Sequence, residues 1–289
     1  MAKVVRPRRE SAVSRLLTGG GAPSMDQEWL RIALDEVLEN EQPLWKPPTR
    51  YFRASVAGDA CLRAIVLESM GHNIPVEARK RRIFRTGTKI EEVNVEAARA
   101  AGIFVEPDDV DEGGQPVVRY EDPPIIGHID MLARRPADGK VILVEYKSIN
   151  ESLFQKLPKE HGPTLVGESP LLRSHTRYAH QWNTYAGAPN LDLDEGCIVF
   201  EAKNTQKQRF FWLLRDDDLL DEVLGRLRPA APYILSDPQR VPPRGLDPYE
   251  ARDEDGSHKN CSRRYLCRRL PEDGCTYDEV RRIDAQLRG

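Results

Sequence analysis

Residues 140–150, KVILVEYKSIN, carry apolar side chains at odd and even positions alike before Glu145 and Lys147 appear two residues apart. A strand repeats every two residues, so Val141, Leu143, Glu145 and Lys147 share one face, with Ile142, Val144 and Tyr146 on the other. Apolar residues on both faces predict a central strand covered on both sides. Other segments change period. Trp29, Ile32, Ala33 and Val37 in DQEWLRIALDEVLEN follow helical spacing. ASVAGDACLRAIVLESMG predicts a turn feeding a helix that ends at Gly71, and RRIFRTGTKIEEVNVEAARAAG a second helix closed by Gly102.

IFVEP, QPVVRYE, PIIGHIDMLARR and KVILVEYK then have strand character, separated by DEGG and PADG. Residues 151–170 are expected to be loop or short helix, and LLRSHTRYAHQWNTYAGA a helix. GCIVFEAK and QRFFWLLR form a hairpin around NTQK, and DDLLDEVLGRLRPAAPYIL gives a last helix before a proline-rich linker, residues 236–250. This order predicts an α/β or α+β core over residues 26–235. A flexible basic arm (1–25) precedes it, and a cysteine-bearing segment (236–289) packs back on it.

Composition narrows the classes. The 289 residues are 31% charged with net charge −3, too acidic overall for a generally basic nucleic-acid binder. Positive charge is instead grouped in RPRR, RKRRIFR and CSRRYLCRR. Such patches could guide a phosphate backbone towards a carboxylate site, although charge runs commonly form solvated surface. No run is apolar enough to span a bilayer and the N-terminus lacks a secretory apolar core, so an intracellular, cytoplasmic protein is expected. Of five cysteines, Cys261, Cys267 and Cys275 fall in the last thirty residues, where grouped thiols outside an oxidising compartment point to metal or redox chemistry.

The carboxylates converge on paper. If Asp138-Gly139 is a two-residue turn, Asp130 lies opposite Lys147; if Pro136–Gly139 form a four-residue loop, Asp130 lies opposite Glu145. Either register sets Asp130, Glu145 and Lys147 on one face, with cross-strand neighbours roughly 4.5–8 Å apart. An isolated E-x-K would be an ion pair at a strand end. Two carboxylates this close repel unless a cation lies between them, and Mg²⁺ or Mn²⁺ takes oxygen ligands while keeping its own waters. On the preceding helix Gly87, Glu91, Val95 and Ala98 share a small-residue face, making Glu91 a better inward candidate than Glu92 or Glu96.

GTKIEEV, GHID, EYK and QWNTY, in that order over residues 87–185, resemble the PD-(D/E)XK nuclease superfamily, in particular its RecB-like branch of CRISPR-associated and phage exonucleases. The resemblance implies a restriction-endonuclease-like core with a mixed central sheet flanked by helices. It also implies a metal-dependent deoxyribonuclease acting on single-stranded DNA or DNA ends in recombination, repair or phage DNA metabolism. Asp130 and Glu145 would bind Mg²⁺ or Mn²⁺, Lys147 would be the catalytic lysine, and Gln181 and Tyr185 would position substrate or lysine. Glu91 stands where the family has histidine, a departure that favours a harder metal. The branch also implies a [4Fe–4S] cluster on Cys61, Cys261, Cys267 and Cys275. The C-x5-C-x7-C spacing here departs from the family's closer first pair and leaves zinc, or no metal, open. The rival readings are a non-catalytic DNA-docking module on the same fold and a restriction-type endonuclease. His128 falls on the opposite strand face, His175 and His180 have no evident partner, and Cys197 and Phe211 read as core. The aromatics of RFFWLLR could alternatively stack on bases.

Overall fold

The strand predicted to be central is central. In the computed structural model, which describes residues 29–41, 43–58, 61–112, 114–244, 246 and 263–288, it spans Val141–Ile149 (β6). It lies inside a six-stranded sheet of order β2-β5-β6-β8-β9-β7. The other strands are β2 (Phe104–Val105), β5 (Met131–Arg134), β7 (His161–Leu165), β8 (Glu195–Ala202) and β9 (Gln208–Leu214). β6 runs antiparallel to β5 and parallel to β8, so the sheet is mixed. Its two apolar faces feed two cores, Leu143 joining one and Ile142 with Val144 the other. Helix α3 (Ala78–Ala100) covers the second through Val95 and Ala98, and α6 (Thr176–Ala186) sends Trp182 into the first. The architecture is α/β, a mixed sheet flanked by helices, consistent with a restriction-endonuclease-like core.

The remaining elements sit around this frame. Helices α1 (Trp29–Glu39) and α2 (Leu62–Ser69) precede α3, and α4 (Glu151–Gln155) and α5 (Pro170–Ser174) precede α6. The predicted helix over residues 171–188 is thus two, broken at His175, whose φ of −140° is not helical. Helix α7 (Asp217–Leu227) and α8 (Ala231–Leu235) likewise replace one long helix, since Pro229 removes a backbone donor at the break. A second sheet joins β1 (Phe52–Arg53), β4 (Ile125–His128) and β3 (Val117–Tyr120). Finally β10 (Arg240–Val241) pairs β11 (Cys275–Thr276), next to α9 (Arg264–Cys267) and α10 (Tyr277–Arg288).

Two further expectations need correction. PIIGHIDMLARR is not one strand: β4 and β5 belong to different sheets, with the chain turning at Ile129 and Asp130. Part of the segment expected as loop or short helix, His161–Leu165, is an edge strand parallel to β9; Pro163 is tolerated because an edge needs no donor on its outer side. The face of α1 bearing Trp29, Ile32 and Val37 is exposed, and Leu38 is the buried residue of that helix. Among the described residues no helix is long and apolar enough to cross a membrane. The arm at 1–25, residues 245 and 247–250 of the linker, and Cys261 lie outside the described residues.

Candidate active site

The pairing of β5 with β6 runs from Arg134↔Val141 to Met131↔Val144. That is the four-residue-loop register, with Arg135 N–H donating to the Lys140 carbonyl at 2.8 Å to close it. One step further the same count sets Asp130 against Glu145, yet there the chain has turned away and the ladder stops. From Glu145 onward β6 keeps its partner β8 on one side only. The opened edge is filled by side chains. The Tyr146 N–H, robbed of a strand partner, donates to Asp130 Oδ2 at 2.7 Å.

The predicted residues meet in this opening. Glu91 arrives from α3 and shares a side-chain hydrogen bond with Asp130, which is also hydrogen-bonded to Glu145. Lys147 Nζ donates to Glu145 Oε1 in a short ion pair. From α6, Gln181 Nε2 donates to Glu145 Oε1 at 3.1 Å and to the Tyr185 hydroxyl at 2.7 Å. Glu145 is 1% exposed, and its Oε2 has no hydrogen-bond partner. An acceptor stranded in that way costs free energy unless something cationic or protic meets it.

The electrostatics follow from burial. Desolvation, then the Asp130 charge, push Glu91 up to about 7 against the pull of Lys147. The same two causes push Glu145 up to about 8. Asp130 is also raised by burial, opposed by Lys147 and the Tyr146 N–H. Burial alone would draw Lys147 down, but Glu145 and Asp130 outweigh it and hold the ammonium above its ordinary range. The arrangement is three carboxylates and one lysine with more negative charge than it neutralises, the condition under which a hard divalent cation is stabilising. Among the described residues no three His, Cys, Asp or Glu side chains are arranged to hold a metal ion as they stand. The carboxylates instead engage Lys147, Gln181, Tyr146 and one another. Stranded Glu145 Oε2 and the raised carboxylates fit a Mg²⁺ or Mn²⁺ ion.

Two glycines of the motifs have a packing reason. A Cβ on Gly127 would sit 2.4 Å from Tyr185 Cε1, so the bare backbone of β4 is what lets Tyr185 lie under Gln181. A Cβ on Gly87 would sit 2.8 Å from Ser148 Oγ and 3.4 Å from Lys203 Nζ, so the missing side chain lets α3 lie close to β6 at Ser148. Lys203 and Ser148 are site neighbours that sequence reasoning missed. Lys203 follows β8, and only the parallel pairing of β6 with β8 carries it to the opening, a contact with no local signal.

Other candidates fall elsewhere. His128 pairs with Asp111 at 3.2 Å on the second sheet, and His175 stacks on Tyr178. Cys197 is buried among apolar residues, which push its thiol up to about 12, and Phe211 is fully buried. Much of the RKRRIFR run is occupied by α1: Arg82 meets Asp35 at 2.6 Å, and Arg81 and Arg85 both reach Glu41. Elsewhere in the molecule Cys61, Cys267 and Cys275 are buried around Arg63. That guanidinium is 2% exposed; one nitrogen donates to the Pro271 carbonyl, while Nε and Nη1 lack hydrogen-bond partners.

No family model matches the chain, and no curated protein matches it. Among solved structures, the crystal structure of LHK-Exo in complex with dAMP aligns with a TM-score of 0.40 at 15% identity, over 64% of this chain and 88% of that one. A likeness that distant says nothing of the chemistry at this site.

Proposed function

We propose that the protein is a metal-dependent deoxyribonuclease of PD-(D/E)XK type that hydrolyses phosphodiester bonds in single-stranded DNA or at DNA ends. The observation that carries this reading is the convergence of Glu91, Asp130, Glu145 and Lys147 where the sheet opens, with Glu145 Oε2 left unpartnered. Asp130 and Glu145, with Glu91 beside them, would hold Mg²⁺ or Mn²⁺. Bound there, the ion would supply Lewis-acid activation of water and neutralise charge on the phosphate. Gln181, anchored by Tyr185, fixes the Glu145 carboxylate. Lys147, kept protonated by its carboxylate neighbours, offers a fixed positive charge to the phosphoryl oxygens as they become more negative. An intact acid–acid–lysine set weighs against a docking module that has lost its chemistry.

We also infer that Cys61, Cys267 and Cys275, with Cys261, bind a metal centre, a [4Fe–4S] cluster or zinc. Arg63 supports this, since a buried cation with idle donors fits beside a centre of net negative charge. Visible absorbance and iron content of anaerobically purified protein decide between them, because zinc is colourless.

The test of the nuclease reading is degradation of end-labelled linear DNA with Mg²⁺, Mn²⁺ or EDTA, Lys147→Ala beside wild type. Activity with either metal that falls about 10²-fold or more in the variant is expected. Closed circular DNA distinguishes the exonuclease from a restriction-type endonuclease, because only the latter cuts it. Wild type that binds DNA but cleaves none with any metal would leave the docking module in its place.

A further inference from the structure

Two cavities meet at Thr88 and Glu91, and they differ in charge. The one on the Asp130 side, about 500 Å³, is lined by Glu91, Glu92 and Glu96 with Arg99. The other, about 630 Å³, lies on the Lys147 side and carries Arg79 and Lys203 as well. Its acids are Glu91 and Glu201, and the second of these is engaged by the Asn94 and Gln208 amides at 2.9 and 2.7 Å. An anionic strand is therefore drawn to the second cavity and a cation to the first.

Resting on the nuclease reading, we propose that Lys203 and Phe84 form a subsite for one unpaired nucleotide next to the scissile phosphate, Lys203 taking its phosphate and Phe84 its base. Lys203 is already held in place: its ammonium donates to Ser148 Oγ at 2.8 Å and to the Ile83 carbonyl at 3.1 Å. Neither partner is charged, and among the described residues no carboxylate pairs with it. One N–H remains to meet a phosphate oxygen, without first breaking an ion pair. A Cβ on Gly87 would press on Ser148 Oγ, the hydroxyl that holds this ammonium. Phe84, on the same wall, is 61% exposed, an unusual place for a large apolar ring. Of the other aromatics in the wall, Tyr146 is packed against the second core, and Tyr178 is already flanked by His175 and by Lys147 at 5.4 Å from its centroid. Phe84 is thus the ring open to stacking. A base can reach it only when unpaired and unstacked, so the subsite selects single strands.

The experiment measures binding of fluorescein-labelled oligothymidine and of a matched duplex by the full-length protein, without added divalent ions and between 50 and 200 mM KCl. Phe84→Ala should weaken single-strand binding roughly tenfold and leave the duplex unchanged. Lys203→Gln should lower the slope of log Kd against log salt by about 0.7, the share of one phosphate on a single strand, and Lys203→Arg should restore it. With Mg²⁺ or Mn²⁺ present, both losses should appear in KM more than in kcat. Truncating exposed Phe84 leaves no cavity, so that arm stands even where Lys203→Gln disturbs folding. Unchanged single-strand affinity in Phe84→Ala and an unchanged salt slope in Lys203→Gln, with wild type still degrading DNA, would overturn the subsite alone. Wild type that neither binds nor degrades DNA would remove the nuclease reading itself.

Discussion

The carboxylate opening and the cysteine corner are both buried clusters of ionisable groups, and they carry opposite imbalances. In the opening, three acids outnumber one lysine, and burial raises all three acids. In the corner, the Arg63 guanidinium lies among thiols and near Arg244, with no carboxylate paired to it among the described residues, and burial lowers its pKa while pushing Cys275 up to about 11. Each lacks the charge of the other sign. On the function proposed above, an unbalanced buried cluster would mark a place for a ligand, and the sign of the imbalance would say which kind: a cation at the opening, an anionic centre at the corner. Their positions also differ. The opening gathers α3, β6 and α6 around one strand, whereas the corner ties α2 to α9 and β11 across most of the chain.

The largest effects should separate the two. Glu145→Gln keeps the shape and removes a charge that burial and Asp130 oppose. It should abolish metal-dependent cleavage by about 10²-fold or more, yet raise the melting temperature of metal-free protein by several degrees, about 1 kcal/mol being worth about 2–4 °C at this size. Cys275→Ser should do the reverse, lowering the melting temperature and the bound metal while leaving activity per folded molecule near wild type. Calorimetry, metal content and cleavage assays on the two variants check the pair. Equal losses of stability in both would mean that the opening, like the corner, is held together by its charges, and the comparison would fail.

How much of this could be read from the chain depends on the range of the contact. Strand periodicity placed Glu145 and Lys147 together, PADG allowed two registers of which the fold takes the one that sets Asp130 against Glu145, and helical spacing turned Glu91 inward. These are local rules, and the fold obeys them. The turn at Ile129 and Asp130 is invisible in the same pattern, because β4 and β5 keep one hydrophobic rhythm while serving two sheets. It is that turn which stops the ladder and frees the edge of β6. Lys203 and Arg63 escaped for a related reason: a parallel strand and a returning chain end bring partners that no period encodes. Helical spacing found α1 correctly, but it reports amphipathicity and not what covers it, and the face bearing Trp29, Ile32 and Val37 is exposed.

A middle-sized effect tests the seam beside the corner. His72 is fully buried, its Nε2 3.0 Å from the Tyr265 hydroxyl and 3.9 Å from Asp284 Oδ1. Asp284 also accepts from Trp45 Nε1 at 3.0 Å, so this network fastens α10 to the segment before α2. Burial, then the Arg263 charge, draw His72 down to about 4 despite Asp284. Its folded value lies below the ordinary 6.5, so the unfolded chain takes up the proton first. The stability is whole above pH 6.5 and is lost as pH falls through that value towards 4, by roughly 3 kcal/mol in all. The opening responds with the opposite sign. Glu145, raised to about 8, is relieved of its charge by the same acidification. Thermal melts between pH 7.5 and 4.5 should therefore show wild type losing stability relative to His72→Gln as pH falls, the contribution of the opening being common to both and cancelling in the difference. A gap between the two curves that stays constant over that window would show the seam to be insensitive.

The smallest effect probes how the opening is supported from behind. Gly127→Ala adds a methyl 2.4 Å from Tyr185 Cε1 and 2.9 Å from the Ala54 Cβ, and neither neighbour can yield easily, since Tyr185 is 2% exposed and Ala54 fully buried. Overpacking of this kind costs about 1–3 kcal/mol. Tyr185 must shift, and with it Gln181, which binds both the Tyr185 hydroxyl and Glu145. Activity should fall about tenfold in kcat, with KM for DNA little changed, because the misplaced group holds a carboxylate and not the strand. Tyr185→Phe in the same background separates the two causes. It removes the hydroxyl that Gln181 leans on but leaves the ring, so a loss of similar size in Tyr185→Phe alone places the effect in the hydrogen bond. If Tyr185→Phe is silent and Gly127→Ala is not, the glycine serves packing only, and Gln181 holds Glu145 without help from the tyrosine.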